Sequence, residues 1–242
     1  LGDPAHAIGG DRAHFVGDAL LALPPGEYHA VASHGPTWSL DEAEITVPAD
    51  GSVARATFTL RALVPMDGWR QCDLHQHSAW SADSAVPPRD GVLASAAEGL
   101  DCIASTEHDA VADLRADVAD AGLVAPMLWL PGLEVTSSKN GHFNVYPHPP
   151  ERGVIAHLGL DPTAILAAIR DRSPDAILQI NHPRFGDIGV FNRVRDLEGI
   201  AALDYDALEI LNGKNVDDGD AILADVLALL PRGHLRALVG AS

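Results

Sequence analysis

The stretch Asp73-Leu74-His75-Gln76-His77-Ser78 closes a predicted strand that begins at Arg70. Side chains alternate across an extended strand, so Asp73, His75 and His77 share one face, and two imidazoles can reach a single ion with Asp73 behind them. A lone His-x-His also occurs on solvated strands, so its meaning depends on companions. Asp83 follows within Ser78–Ser84, Thr106-Glu107-His108-Asp109 ends the next strand, and Gly132-Leu133-Glu134-Val135 ends the third. Gly141-His142-Phe143-Asn144 and Asn181-His182-Pro183-Arg184 add two further imidazoles. Groups delivered at the ends of successive strands can converge on one pocket. The other histidines, His6, His14, His29, His34, His148, His157 and His234, fall in turns, the leading segment or helix flanks and are read as structural or solvated.

Working outward, the chain from Trp69 alternates strand and helix. Strands are predicted over Arg70–His75, Cys102–Thr106, Met127–Val135, Phe143–Tyr146, Ala176–Asn181, Ala207–Leu211 and Leu235–Val239. Asp161-Pro162 supplies an N-cap and a first-turn proline ahead of Ile165, Leu166 and Ile169. A second helix runs from Asp217-Asp218 through Ile222, Leu223, Val226, Leu227 and Leu230, and Pro231 stops it. Such alternation implies parallel strands covered by helices. The expectation is an α/β fold, a small seven-stranded barrel over residues 69–242.

Residues 1–66 read as a small all-β, sandwich-like domain, whole or incomplete. Short extended runs cover Tyr28–Ala32, Ile45–Val47 and Val53–Leu63, the last alternating Ala54, Ala56, Phe58 and Leu60 with Arg55, Thr57, Thr59 and Arg61. Pro48-Ala49-Asp50-Gly51-Ser52 is a turn, and Val64-Pro65-Met66-Asp67-Gly68 reads as the linker. Leu23-Pro24-Pro25-Gly26-Glu27-Tyr28 resembles the start of a central strand in transthyretin-like or carboxypeptidase-regulatory sandwiches.

The 242 residues, 47% hydrophobic and 21% charged, provide a sizeable core and argue against disorder. Acidic residues outnumber basic ones by 34 to 16, and the formal charge of -18 argues against a nucleic-acid duplex as partner. A cationic metal pocket could still attract an anion. Cys72 and Cys102 are the only cysteines; they are expected to be reduced core thiols, with a bridge or a metal or reactive role as alternatives. No apolar run approaches the roughly 20 residues that span a bilayer. The opening is not a signal peptide, and the start at Leu1 leaves room for an export signal upstream; compartment and oligomeric state stay open.

The ordered series Asp73-Leu74-His75-Gln76-His77-Ser78, Ser81-Ala82-Asp83-Ser84, Ser105-Thr106-Glu107-His108-Asp109, Gly132-Leu133-Glu134-Val135, Gly141-His142-Phe143-Asn144-Val145 and Asn181-His182-Pro183-Arg184 resembles the polymerase-and-histidinol-phosphatase (PHP) superfamily of metallohydrolases, in its carbaryl-hydrolase-like branch. The resemblance implies a distorted seven-stranded barrel holding up to three divalent metals. By that resemblance, His75, His77 and Glu134 would hold the first, Glu134, His142 and His182 the second, and Asp83 with His108 part of the third. Glu134 would be the bridge. The family's final Asp-x-His motif would begin where this sequence stops, at Val239-Gly240-Ala241-Ser242, which is expected to reflect truncation.

Imidazole and carboxylate donors suit Zn, Mn or Fe ions, whereas an all-oxygen cage would favour Ca or Mg. Coordination lowers the pKa of water to about 7, so hydroxide is available without a side-chain nucleophile. Asp73, Glu107 and Asp109 are candidates to orient imidazoles or shuttle protons, with strand-end capping as the alternative. Arg184 is a candidate contact to an anionic substrate or else a surface ion pair, and Lys214 is a weaker candidate. Phosphate-loop, nucleophile-elbow, Cys-x-x-Cys and dinucleotide motifs are absent. The expected function is metal-dependent hydrolysis of a small phosphoester or nucleotide, with carboxyl or carbamate ester cleavage on the same site as the alternative. A non-catalytic, metal-stabilised binding module is the rival class, and proofreading beside a polymerase is disfavoured by the acidic charge.

Overall fold

Alternation of polar and apolar residues along the strands at Leu133–Ser137, Gly141–Tyr146 and Ile177–Asn181 builds a two-faced sheet, and one of its faces carries the site. The computed structural model describes residues 6–7, 12–123, 126–213 and 217–241; Lys214, Ser242 and the side chain of His6 lie outside the described residues. The described chain starts with two antiparallel pairs, β1 (His6–Ala7) with β2 (Ala13–His14) and β3 (Gly26–Ala32) with β4 (Asp41–Val47). Then come β5 (Cys72–Gln76), α1 (Pro88–Ala97), β6 (Cys102–Ser105), α2 (Arg115–Asp120), β7 (Leu128–Pro131), β8 (Leu133–Ser137) and β9 (Gly141–Tyr146). The chain continues through α3 (Pro162–Arg172), β10 (Ile177–Asn181), α4 (Val190–Val194), α5 (Leu197–Ala202), β11 (Ala207–Asn212), α6 (Asp217–Leu229) and β12 (Ala237–Ala241).

The chain divides into two compact units. One takes the residues up to Cys72 with Arg89–Cys102 and Asp117–Met127; the other takes Asp73–Pro88, Ile103–Ala116 and everything from Leu128 onward. In the first, β3 and β4 pair in full register from Gly26↔Val47 to Ala32↔Asp41, and no sandwich forms among the described residues. The predicted strand over Val53–Leu63 is not a strand. Two of its backbone donors go to side chains instead, Thr59 N–H to Asp41 at 2.7 Å and Arg61 N–H to Ser39 at 3.0 Å, while Leu63 N–H bonds Thr37 O at 2.9 Å and an isolated bridge pairs Trp38 with Ala62. The cysteines correct a second expectation: Cys72 and Cys102 form a disulfide, their Cα atoms 4.5 Å apart on neighbouring strands.

In the second unit, β12-β11-β10-β9-β8 form one sheet and β5-β6-β7 another. Cys102 N–H bonds Gln71 O and Thr106 N–H bonds Gln76 O, so β5 and β6 run in the same direction. β10, β11 and β12 are parallel, but β9 is antiparallel to both β8 and β10, which corrects the all-parallel expectation. The loop between β8 and β9 is too short for a crossover, so the chain can only turn back on itself. The predicted Met127–Val135 strand breaks at Gly132 into β7 and β8. No closed seven-stranded barrel forms among the described residues; the sheets are open, and an isolated parallel bridge pairs His108 with Glu134.

Leu133, Val135, Phe143, Val145, Leu178, Ile180 and Leu208 face one side of the larger sheet. There they join Ile165, Leu166 and Ile169 of α3 and Ile222, Val226 and Leu229 of α6 in one core. Fully burying an aliphatic or Phe side chain stabilises by roughly 1.5–3 kcal/mol, so this core anchors the sheet. α3 starts where expected: Asp161 accepts from Ala164 N–H at 2.9 Å, with Pro162 in the first turn. The intervening residues Glu134, His142, Asn144, Gln179, Asn181 and Glu209 take the opposite face and are buried nonetheless.

Gly141, where β9 begins, has φ +101°, and a Cβ there would lie 2.8 Å from Val190 Cβ and from Phe143 Cζ. Gly141→Ala is therefore expected to destabilise the protein by at least roughly 1–3 kcal/mol, read as a lowered urea midpoint. An unchanged midpoint would show that the turn is not under this constraint.

Candidate metal centre

Glu134 sits where it does because β8 approaches β6 closely. A Cβ on Gly132 would be 2.8 Å from Ser105 O and 3.2 Å from Val145 O, so only glycine permits that approach. Glu134 N–H then bonds Glu107 O at 3.0 Å and Asp109 N–H bonds Glu134 O at 2.9 Å, which sets Glu134 beside His108. His75 comes from β5 and His142 from β9. His182 follows β10 with φ +26°, and Asp109 follows His108 with φ +47°. Left-handed backbone at a non-glycine residue costs roughly 1–3 kcal/mol and tends to persist where function requires it.

The fully buried Glu134 carboxylate is ringed by imidazoles. Its Oε1 lies 3.4 Å from His75 Nε2, 3.3 Å from His142 Nδ1 and 3.7 Å from His182 Nε2. Its Oε2 lies 3.6 Å from His77 Nε2 and 2.5 Å from His108 Nδ1, the latter without hydrogen-bond alignment. His75 Nε2 and His77 Nε2 face each other at 3.1 Å, and His108 Nε2 is 3.3 Å from Asp83. Among the described residues, donor atoms within 4.8 Å of one another form three groups: His75, Glu134 and His182; His77, Asp83 and His108; His108, Glu134 and His142. All seven candidate ligands are thus brought together, in a partition different from the one the family resemblance implies. Glu134 and His108 each belong to two groups.

The donor set fits divalent ions. Buried Glu134 Oε2, His142 Nδ1 and His182 Nδ1 have no hydrogen-bond partner, an arrangement that is costly unless something else satisfies them. Two ligands about 2.0–2.1 Å from one tetrahedral ion would lie about 3.3–3.4 Å apart, close to the separations around Glu134 Oε1. Without an ion, the charges compensate one another. Burial opposes protonation of His75, but Glu134 and then Glu209 outweigh it and raise its pKa to about 10. His108 is also raised: burial opposes its charge, and Glu134 and Asp83 override that. His77 is lowered, chiefly by burial, with the neighbouring imidazoles of His75 and His108 adding to the effect against Glu134. Burial opposes ionisation of Glu134, yet His108, His142, His182 and His75 hold it well below the ordinary carboxylate range.

The other sequence candidates are near but differently engaged. Asp73 accepts from His75 N–H at 3.1 Å and from the Gln76 amide at 3.0 Å. Buried Glu107 accepts from Ser78 N–H at 2.9 Å and Ser78 Oγ at 2.6 Å, fixing the segment that follows His77. Asp109 accepts from Thr136 N–H at 3.1 Å and lies 3.6 Å from His157 Nδ1. Arg184 takes up its ion-pair alternative, with two 2.7 Å bonds to Asp225 and further bonds from Nη1 to Phe191 O and Asn192 Oδ1. His148 is structural as expected, bonded to Ser173 Oγ at 2.8 Å and Gly153 O at 2.7 Å.

Sequence reasoning missed the polar chain behind the ligands. Tyr146 OH donates to Gln179 Oε1 at 2.7 Å, Gln179 Nε2 to Asn181 Oδ1 at 2.9 Å, and Asn181 Nδ2 to Glu134 Oε1 at 2.7 Å and Asn144 Oδ1 at 2.8 Å. Ser81 Oγ accepts from His108 N–H and pairs with His77 Nδ1, both at 2.9 Å. Glu209, fully buried, pairs with His75 Nδ1 at 2.8 Å. A signal existed in each strand: Asn144, Gln179 and Glu209 are polar residues flanked on both sides by apolar ones.

No family model matches the chain, and no curated protein matches it. Among solved structures, the chain is similar to a two-domain protein from Bacteroides vulgatus containing a predicted PHP-like metal-dependent phosphoesterase, at 21% identity and TM-score 0.48, over 72% of this chain and 51% of that one. It is also similar to an amidohydrolase from Chromobacterium violaceum with bound sulfate and no metal, at 18% identity and TM-score 0.47, over 71% of this chain and 86% of that one. The chain spans about half the length of the Bacteroides protein. At these identities the side chains, not the neighbours, carry the function.

Because His75 has a pKa raised to about 10, the metal-free ring holds a proton at neutral pH, and an ion on Nε2 must displace it. Metal affinity is expected to weaken as pH falls, about tenfold per pH unit for each proton displaced. Titration calorimetry with Zn2+ should show heats that change with the buffer's ionisation enthalpy; buffer-independent heats would contradict the exchange.

Proposed function

We propose that the chain is a metal-dependent hydrolase of the PHP type, with residues 69–242 as the hydrolase and 1–66 as a leading β domain. The observation that supports it is the buried Glu134 among His75, His77, His108, His142 and His182, with Glu134 Oε2, His142 Nδ1 and His182 Nδ1 left unpartnered. In this reading, His75, His77, Asp83, His108, Glu134, His142 and His182 hold up to three Zn, Mn or Fe ions. Strands β5, β6 and β8 to β12 would be the staves of the distorted barrel, and the His108–Glu134 bridge is consistent with their adjacency. No helix among the described residues is long and apolar enough to cross a membrane, and the partner in this reading is a small-molecule substrate.

Bound divalent ions supply Lewis acidity and make water acidic enough to act near neutral pH. The protein's own groups then have separate tasks. Glu134 offers one oxygen to each of two donor groups, so it would fix their spacing. Asn181 holds Glu134 Oε1, Glu107 fixes the segment after His77, and Asp73 pins the backbone of His75. Asp109, 42% exposed at its side chain and beside His157, is the candidate to accept a proton.

The preferred substrate is a small phosphoester or nucleotide, whose charge the ions would meet. Carboxyl or carbamate ester cleavage is the second reading, favoured by the engagement of Arg184 with Asp225, which leaves that guanidinium committed elsewhere. Assay of the protein with Mn2+ or Zn2+ against an aryl phosphate and an aryl carbamate separates the two, with faster turnover of the phosphate expected. No turnover of either would contradict the hydrolase reading.

Glu134→Gln is expected to lower metal content at two groups at once, since Glu134 belongs to two. Elemental analysis after dialysis reads this directly; full metal content in the variant would contradict a bridging carboxylate.

A further inference from the structure

One fully buried carboxylate beside the centre has no part in the ligand set. Glu209 lies on β11, where the pairing with β12 shifts register between Glu209 and Leu211. Such an irregularity re-aims a side chain, and here it accompanies a carboxylate directed to two ligands from distant strands. Glu209 Oε1 is 2.8 Å from His75 Nδ1, across 134 residues of sequence. Oε2 accepts from His182 N–H at 2.6 Å and from Asn212 Nδ2 at 3.3 Å.

We propose that Glu209 is a positioning residue of the metal centre: it holds the proton on His75 Nδ1 so that Nε2 faces the ion, and it ties down the turn that carries His182. The inference rests on the metal-binding reading above. Its logic is one of donors and acceptors. A carboxylate oxygen accepts, so the Nδ1 it faces must carry hydrogen. Nε2 is then the nitrogen left to give up its proton and bind an ion, on the side of the ring where Glu134 Oε1 lies at 3.4 Å and His77 Nε2 at 3.1 Å. A partner on the far side of a metal-bound imidazole fixes tautomer and ring orientation and raises ligand basicity. One side chain therefore sets two members of the His75, Glu134 and His182 group, His75 through its ring and His182 through its backbone.

Glu209→Gln is the sharp test because it keeps size and shape while exchanging one acceptor for a donor. If the amide NH2 meets His75 Nδ1, the ring proton must move to Nε2 and block the ion. If it meets His182 N–H, two donors face each other at the present 2.6 Å contact. With Zn2+ as probe in competition with a chromophoric chelator, the variant is expected to bind about 10- to 100-fold more weakly than wild type. With Co2+, the visible absorption of the folded variant should change, whereas a purely structural role would lower stability and leave the spectrum of the folded fraction intact.

Equal affinity and an identical Co2+ spectrum in Glu209→Gln would overturn the role of Glu209 while leaving the metal centre standing. Failure of the wild type to bind either ion would overturn both. Should the variant not fold, long-range 1H–15N imidazole spectra of the Zn2+-loaded wild type decide. A proton on His75 Nδ1 with Nε2 shifted by the metal supports the proposal, and a proton on Nε2 or metal at Nδ1 overturns it.

Discussion

A single carboxylate, Glu134, buried to zero exposure among the imidazoles of His75, His77, His108, His142 and His182, is the constraint on which the rest of this structure turns. An isolated buried carboxylate is strongly disfavoured, and one carboxylate cannot satisfy so many ring nitrogens by hydrogen bonding. Protons can serve in part, as the raised pKa of His75 and His108 shows, but His77 is pushed the other way by burial and its neighbours. A cluster that protons satisfy only unevenly is well matched to divalent cations, which neutralise the carboxylates and accept the imidazole lone pairs together.

The fold holds that cluster by separating two kinds of surface on the same strands. Leu133, Val135, Phe143, Val145, Leu178, Ile180 and Leu208 pack under α3 and α6, while the residues between them form the polar chain Tyr146, Gln179, Asn181 and Asn144 behind Glu134. Every link of that chain is a satisfied hydrogen bond, so the candidate ligands rest on a network that rigidifies as it buries. The tight approach at Gly132 and the left-handed turns at Asp109 and His182 then set the final angles.

Much of this was legible in the residues. Period two in Asp73-Leu74-His75-Gln76-His77 announced that His75 and His77 meet, and the Asp161 cap with Pro162 announced α3; both depend on local geometry alone. The antiparallel direction of β9 was hidden because strand patterning carries no sign of direction. The Cys72–Cys102 disulfide was hidden because a bridge depends on which strands become neighbours, and Val53–Leu63 misled because its alternation is real while Thr59 N–H and Arg61 N–H go to the side chains of Asp41 and Ser39 rather than to a strand. Arg184 could not be assigned before Asp225 was known to face it, and Glu209 was passed over because it looked like one charge inside an apolar strand.

The most direct measurement is anomalous X-ray diffraction from crystals of the protein grown with Mn2+ or Zn2+, collected on either side of the metal's absorption edge. The account predicts anomalous peaks between Glu134 and its surrounding histidines, with zinc–nitrogen distances of about 2.0–2.1 Å. Loaded crystals with no peak among these residues, or with peaks only at surface carboxylates, would contradict it.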